Sequence, residues 1–228
     1  MIRQEVNGML DFARARRNMV DSQLRTFDVT DRAVLAAMGE SPRERFVPET
    51  RLAFAYLDQN VSLRDGAGEP RWMLQPMVIA RIIQALEVMP GSRILDVGAG
   101  YGYASDIFAR LGASVVALES DEGLATQARA RVAAAQPPVE VRVGPLAEGC
   151  PDRAPFDIIL VNGAIEKRPE KLLRQLTDGG RLACLGRDGA AGHALLYVKA
   201  GDGFGLRRLF DASAPLMPAF LSEPVFEF

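Results

Sequence analysis

The stretch Arg93-Ile-Leu-Asp-Val-Gly98-Ala-Gly100-Tyr-Gly102-Tyr103 decides the fold. A short apolar run ends in closely spaced glycines, and residues from about 102 to 111 then read as a helix. Glycines after a buried strand let the backbone turn sharply and approach a ligand, while the helix start presents free N–H groups. This unit predicts the first strand, turn and helix of a nucleoside-binding parallel sheet.

The same alternation continues downstream. Ala113–Glu119, Val139–Gly144, Phe156–Val161 and Arg181–Leu185 read as strands, with helices predicted over about 122–135 and 168–177. Strands and helices at this spacing require right-handed crossovers and a sheet covered on both faces. His193 to Lys199 and Phe204 to Asp211 flank Gly201-Asp202-Gly203, a hairpin signal. The expected fold is therefore α/β: a doubly wound, mostly parallel sheet ending in an antiparallel pair.

Upstream the period is helical. Phe12, Met19, Val20, Gln23, Leu24 and Phe27 place an amphipathic helix over roughly 10 to 26. A second helix is predicted from about 31 to 38, with Thr30 as N-cap, Val34, Leu35 and Met38 buried, and Gly39 just past its end. Phe46-Val47-Pro48 reads as an extended link and 58–69 as loop or short strand. A third helix begins at Pro76 and buries Ile79, Ile82, Ile83 and Leu86 before Pro90-Gly91. The chain thus divides into a helical extension, 1–90, and an α/β domain, 91–228.

Composition narrows the chemistry. Of 228 residues 48% are apolar, and 27 basic against 29 acidic side chains give a net charge of −2, which argues against a nucleic-acid-binding protein. The two cysteines, Cys150 and Cys184, lack metal or redox spacing, and the single histidine, His193, opens an apolar run and reads as a strand entrance. No metal site and no catalytic triad are expected. Absence of a signal segment, a membrane span and a disulfide framework predicts a soluble, cytoplasmic protein.

The glycine spacing distinguishes ligands. A dinucleotide site takes Gly-x-Gly-x-x-Gly, but position 103 is Tyr and the third glycine is Gly102, which argues against a nicotinamide oxidoreductase. Gly-x-Gly-x-Gly after an acid resembles the turn of S-adenosylmethionine-dependent methyltransferases. Asp96 would then face the amino acid and sulfonium end, and Glu119, closing the next strand, would accept the ribose hydroxyls.

The chain resembles the protein-L-isoaspartate O-methyltransferase family over about residues 18 to 211. The resemblance is carried by Met19-Val-Asp-Ser-Gln-Leu24, Pro42-Arg-Glu-Arg-Phe-Val-Pro-Glu49, Ala55-Tyr56, Gln75-Pro76, Ile94–Tyr103, Pro155-Phe-Asp157 and Gln175-Leu-Thr-Asp-Gly-Gly180. It implies a Rossmann-like class I methyltransferase domain and methyl transfer from S-adenosyl-L-methionine to the α-carboxylate of isoaspartyl residues in damaged proteins. It places Asp96, Gly98, Ala99, Gly100, Tyr101 and Gly102 on the cofactor, joined by Glu119, Ser120, Gly144 and Leu146.

Two segments depart from the family pattern. Its Gly-Gln-Thr-Ile-Ser run, whose hydroxyls line the reacting centre, reads Pro70-Arg71-Trp72-Met73-Leu74 here. Leu74 therefore stands in the serine's place, and Arg71 is the residue left to pair with an acceptor carboxylate. The family's Gly-Asp pair, whose aspartate binds adenine, reads Gly144-Pro145, which leaves Leu146 and backbone atoms to hold the base. Asn162 ends the fourth strand, beside the expected transfer point, where it would orient a substrate. Two other readings stay open on these departures: the same fold acting on another acceptor, and a regulatory protein that binds the cofactor without turnover. Oligomeric state is not encoded in any motif.

Overall fold

The computed structural model describes residues 11–222 apart from 67, 189 and 190. The segment from residue 12 begins as helix α1 (Phe12–Met19), where Asp11 accepts the N–H of Arg14, and relaxes into a π-helical turn (Val20–Leu24) and a 3₁₀ turn (Arg25–Phe27). The start of the predicted 10–26 helix at residue 10 lies outside the described residues. Phe27 is a correction: it is about half exposed beyond the regular helix, whereas Met19 and Leu24 are fully buried.

Helix α2 (Arg32–Glu40) is capped by Asp31, not Thr30, because its carboxylate accepts the N–H groups of Ala33 and Val34. Gly39 lies inside it. The expected extended link shortens to Val47-Pro48, since Arg43–Phe46 coils into a 3₁₀ turn. Two short antiparallel strands, β1 (Val61–Ser62) and β2 (Trp72–Met73), bracket the following loop. Helix α3 (Pro76–Leu86) starts and buries as the sequence predicts.

The sheet follows: β3 (Arg93–Val97), α4 (Tyr103–Arg110), β4 (Ser114–Glu119), α5 (Glu122–Val132), β5 (Val139–Val143), β6 (Phe156–Ile165), α6 (Glu170–Leu173), β7 (Leu176–Asp188), β8 (Ala191–Ala200) and β9 (Gly203–Asp211). Strand order is β5-β4-β3-β6-β7-β8-β9, parallel through β7 and antiparallel at β7–β8 and β8–β9. The predicted 168–177 helix is a single turn, because Leu176 already pairs with Phe156 in the sheet.

Alternation sorts the strands between two faces. Ile94, Ile158, Leu160, Ala183 and Leu185 join the buried residues of α1 to α4 in one core. Leu95, Val97, Ile159, Val161, Leu182 and Cys184 face the other way, against α6, Leu146, Met217 and Phe220. Each fully buried leucine or isoleucine contributes roughly 1.5–3 kcal/mol of burial. The helical preface therefore packs on the sheet face that leads to the carboxyl ends of β3, β4 and β6, where ligands bind in this architecture.

Candidate active site

The glycine turn sits where the sequence places it. Gly98, Gly100 and Gly102 have φ of 71°, 58° and 88°, a region that strains any residue with a side chain. They do not share one role. A Cβ on Gly102 would lie 2.8 Å from Val132 and 3.7 Å from Ala128, so this glycine lets α4 approach α5. Gly98 and Gly100 face the cleft.

Asp96 is fully buried at the end of β3. Its carboxylate accepts from the hydroxyl of Ser105 and from the amide of Asn162. Burial pushes its pKa up to about 6, opposed by those two hydrogen bonds and reinforced by the nearby Glu119. Asn162, expected to end its strand, lies within β6, which runs on to Ile165, and its amide also reaches the Val97 carbonyl at 3.4 Å. Ala99 and Tyr101 complete the turn, and the Arg131 guanidinium lies 4.2 Å from the Tyr101 ring centroid.

Glu119, expected to accept the ribose hydroxyls, is engaged in this structure by donors of the protein itself. Arg71 donates Nε to Oε2 at 2.9 Å and Nη2 to Oε1 at 2.8 Å, while the N–H groups of Gly100 and Ser120 donate at 2.9 and 2.8 Å. The hydroxyl of Ser120 accepts a further bond from Arg71 Nη2 at 3.1 Å. Both partners of this pair are buried. Arg71, expected to be available to an acceptor carboxylate, is thus paired with Glu119 in this structure.

The segment expected to hold adenine runs from Gly144 to Leu146. Gly144 donates its N–H to the Glu119 carbonyl at 3.0 Å, Pro145 takes an extended conformation, and Leu146 opens a 3₁₀ turn whose side chain comes near Gly98. Nothing on Pro145 can take an adenine amino proton except its carbonyl.

Beside the turn lies a cavity of about 10 Å³ lined by Leu63, Trp72, Leu74, Gly98, Tyr103 and Asn162, among others. Two buried donors on that lining, Trp72 Nε1 and Tyr103 Oη, have no hydrogen-bond partner among the described residues. Arg43, also fully buried, stacks 4.6 Å from the Tyr103 ring centroid and donates to the carbonyls of Ala55 and Leu74. Burial lowers the Arg43 pKa and raises that of the Tyr103 phenol. Among the described residues the lining offers these donors and no carboxylate or imidazole that could act as a general base.

These residues suit a nucleoside bearing a sulfonium amino acid: a glycine turn that approaches closely, with an acid at each end. The turn is packed by ends of flexible side chains. A Cβ on Gly98 would meet Met217 Cε at 2.5 Å, and one on Gly100 would meet Leu63 Cδ1 at 2.4 Å. Leu63, Arg71 and Met217 therefore cover the glycine turn in this structure. The sequence reading missed Arg43, Leu63 and Met217 as parts of this site. Arg43 stood in a quoted motif, but no local signal marked Leu63 or Met217.

The family model for protein-L-isoaspartate(D-aspartate) O-methyltransferase matches residues 14–203. The chain belongs to this family. A Methylorubrum populi protein-L-isoaspartate O-methyltransferase is 47% identical over 174 residues, covering 76% of this chain and 79% of the relative. A Roseiflexus sp. protein of the same name is 38% identical over 203 residues, covering 89% and 91%. A solved Plasmodium falciparum structure, in complex with S-adenosyl-L-homocysteine, superposes with a TM-score of 0.75 at 20% identity, covering 90% of this chain and 98% of that one. That likeness supports the class I methyltransferase fold of this family member.

Proposed function

We propose that this chain is a carboxyl methyltransferase that uses S-adenosyl-L-methionine to methylate the α-carboxylate of isoaspartyl residues in proteins. Family membership supports the reaction. The carrying observation in the site is the cavity beside Gly98 and Asn162, with its two unpaired donors and no base.

An α-carboxylate with a pKa near ~3.5 is ionised at pH 7 and needs no deprotonation. When bound, the cofactor supplies an activated methyl group. The protein's share is to hold the carboxylate oxygen in line and to exclude water. Trp72 Nε1–H and Tyr103 O–H are donors for that oxygen, in place of the hydroxyls lost at positions 72 and 74. Asn162 is fixed by Asp96 and shapes the floor of the site. Leu74 contributes an apolar wall, and its buried position beneath Arg43 keeps that wall dry.

Transfer of labelled methyl groups to an isoaspartyl peptide, with the matched aspartyl peptide as control, tests the reading. Labelling of the isoaspartyl peptide alone is the expected result. Equal labelling of both peptides, or of neither, would overturn it. Leu74, in the serine's place, favours a second reading in which a different carboxylate is the acceptor; labelled cell extract run beside the peptides distinguishes it. Among the described residues no helix is long and apolar enough to cross a membrane, and we assign the protein to the cytoplasm on its reduced cysteines.

A further inference from the structure

We propose that Arg71 is a built-in rival of the nucleoside for Glu119, and that the guanidinium, once displaced, receives the acceptor's carboxylate. This rests on the methyl-transfer reading above and deepens it by naming the residue that couples the two substrates.

A carboxylate offers about four acceptor positions, and those of Glu119 are in use. Two are taken by the N–H groups of Gly100 and Ser120, which belong to the turn and strand end. The others are taken by Arg71 Nε and Nη2. Ribose hydroxyls can therefore reach Glu119 only by removing one set. The backbone donors cannot leave without unfolding the turn. Arg71 can, because it sits at the end of the loop between β1 and β2, held to the sheet by its side chain. Its stem also covers the turn: a Cβ on Gly100 would lie 3.5 Å from Arg71 Cγ.

The exchange has an electrostatic consequence. Glu119 keeps neutral donors after it, whereas Arg71, 2% exposed as it stands, loses its anion. A guanidinium in a buried site without a counter-ion is strongly disfavoured. An acceptor carboxylate restores the pair in the bidentate geometry that arginine favours. Arg71 immediately precedes Trp72, whose unpaired N–H lines the cavity, so the released cation and the neutral donor belong to one segment. The acceptor alone cannot claim Arg71, because Glu119 holds it at both nitrogens. The cofactor must bind first.

Trp72 is the only tryptophan in the chain and adjoins Arg71, so the wild-type protein carries its own reporter. Titration with S-adenosylhomocysteine should shift Trp72 emission, and calorimetry should detect isoaspartyl peptide binding only once S-adenosylhomocysteine is present. Arg71→Met keeps the apolar stem and removes the rival. It should tighten S-adenosylhomocysteine about tenfold, since the competent state is no longer taxed, and weaken the peptide by a similar factor or more. Arg71→Lys, which keeps one ion pair and the fold, should move both constants the same way but less. Unchanged or weaker S-adenosylhomocysteine binding in the variants, peptide affinity that ignores them, or binding of the peptide first would overturn the proposal. Should Arg71→Met not fold, the lysine variant and wild-type emission decide, and emission indifferent to S-adenosylhomocysteine refutes it. A wild-type protein that neither binds S-adenosylhomocysteine nor labels the peptide overturns the methyl-transfer reading as well. Normal binding and labelling with indifferent variants refutes only the exchange.

Discussion

The buried guanidinium of Arg43 donates to the main-chain carbonyl of Leu74 at 2.6 Å. A residue of the helical preface thereby fixes the wall of the cavity at the carboxyl ends of the strands. The same group holds the Ala55 carbonyl at 2.7 Å, so one side chain ties together three segments that are distant in sequence.

Replacing Arg43 with Met should therefore cost roughly 2–4 kcal/mol, because two charge-assisted hydrogen bonds are lost and two carbonyls are left buried, offset in part by the arginine's own desolvation. Urea unfolding monitored by circular dichroism gives the number. A loss below about 0.5 kcal/mol would mean that other groups satisfy both carbonyls.

The Arg71–Glu119 pair makes a separate statement about stability. Glu119→Gln alone leaves a buried cation facing a neutral amide and should destabilise the fold by roughly 3–5 kcal/mol. Adding Arg71→Met should recover much of that loss, since it removes the buried cation that the first substitution leaves without an anion. A double-mutant cycle in denaturant measures the coupling. Additive losses would show that the two residues do not interact energetically.

Asp96 should impose a pH dependence. Its folded pKa of about 6 exceeds the ordinary value of 3.8, so the folded state binds the proton more tightly than the unfolded chain. Its contribution is then most favourable below pH 4, declines between pH 4 and 6, and is unfavourable by about 3 kcal/mol above pH 6. Asp96→Asn should flatten that decline and raise the melting temperature at pH 7, while weakening S-adenosylhomocysteine binding. A variant whose stability tracks the wild type from pH 4 to 7 would remove Asp96 from this account.

Tyr103→Phe removes one donor with little change of shape, and Trp72→Phe removes the other while also trimming the indole to a single ring. If those donors meet the acceptor carboxylate, each should lower kcat/KM for an isoaspartyl peptide ten- to hundredfold, about 1.5–3 kcal/mol for a hydrogen bond to a charged group. S-adenosylhomocysteine affinity should stay within a factor of about three. Steady-state kinetics and calorimetry on the same preparations separate the two effects, and an unaltered kcat/KM in both variants would exclude the donors from the site.

Some of this was legible along the chain. The glycine turn, the acids Asp96 and Glu119 at two strand ends, the α3 face and the terminal hairpin are local patterns, fixed by strand and helix periods and by the conformational freedom of glycine. The cap of α2 was misplaced by one residue, because Thr30 and Asp31 are both capping types and only backbone geometry chooses between them. The 168–177 helix failed for a non-local reason: Leu176 joins the sheet against Phe156, and ladder pairing overrides helical spacing.

What the sequence by itself determined is the identity and order of the groups: which glycines turn, which strands end in acids, and where hydroxyls give way to Trp72 and Leu74. Tertiary structure alone decided which groups meet. Arg71 and Glu119 are 48 residues apart, Asn162 reaches back 66 residues to Asp96, and Met217 comes from beyond the last strand to cover Gly98. Pairings of this kind depend on strand order and on burial. A buried charge takes whatever opposite charge the packing brings near, and no period in the chain records that choice.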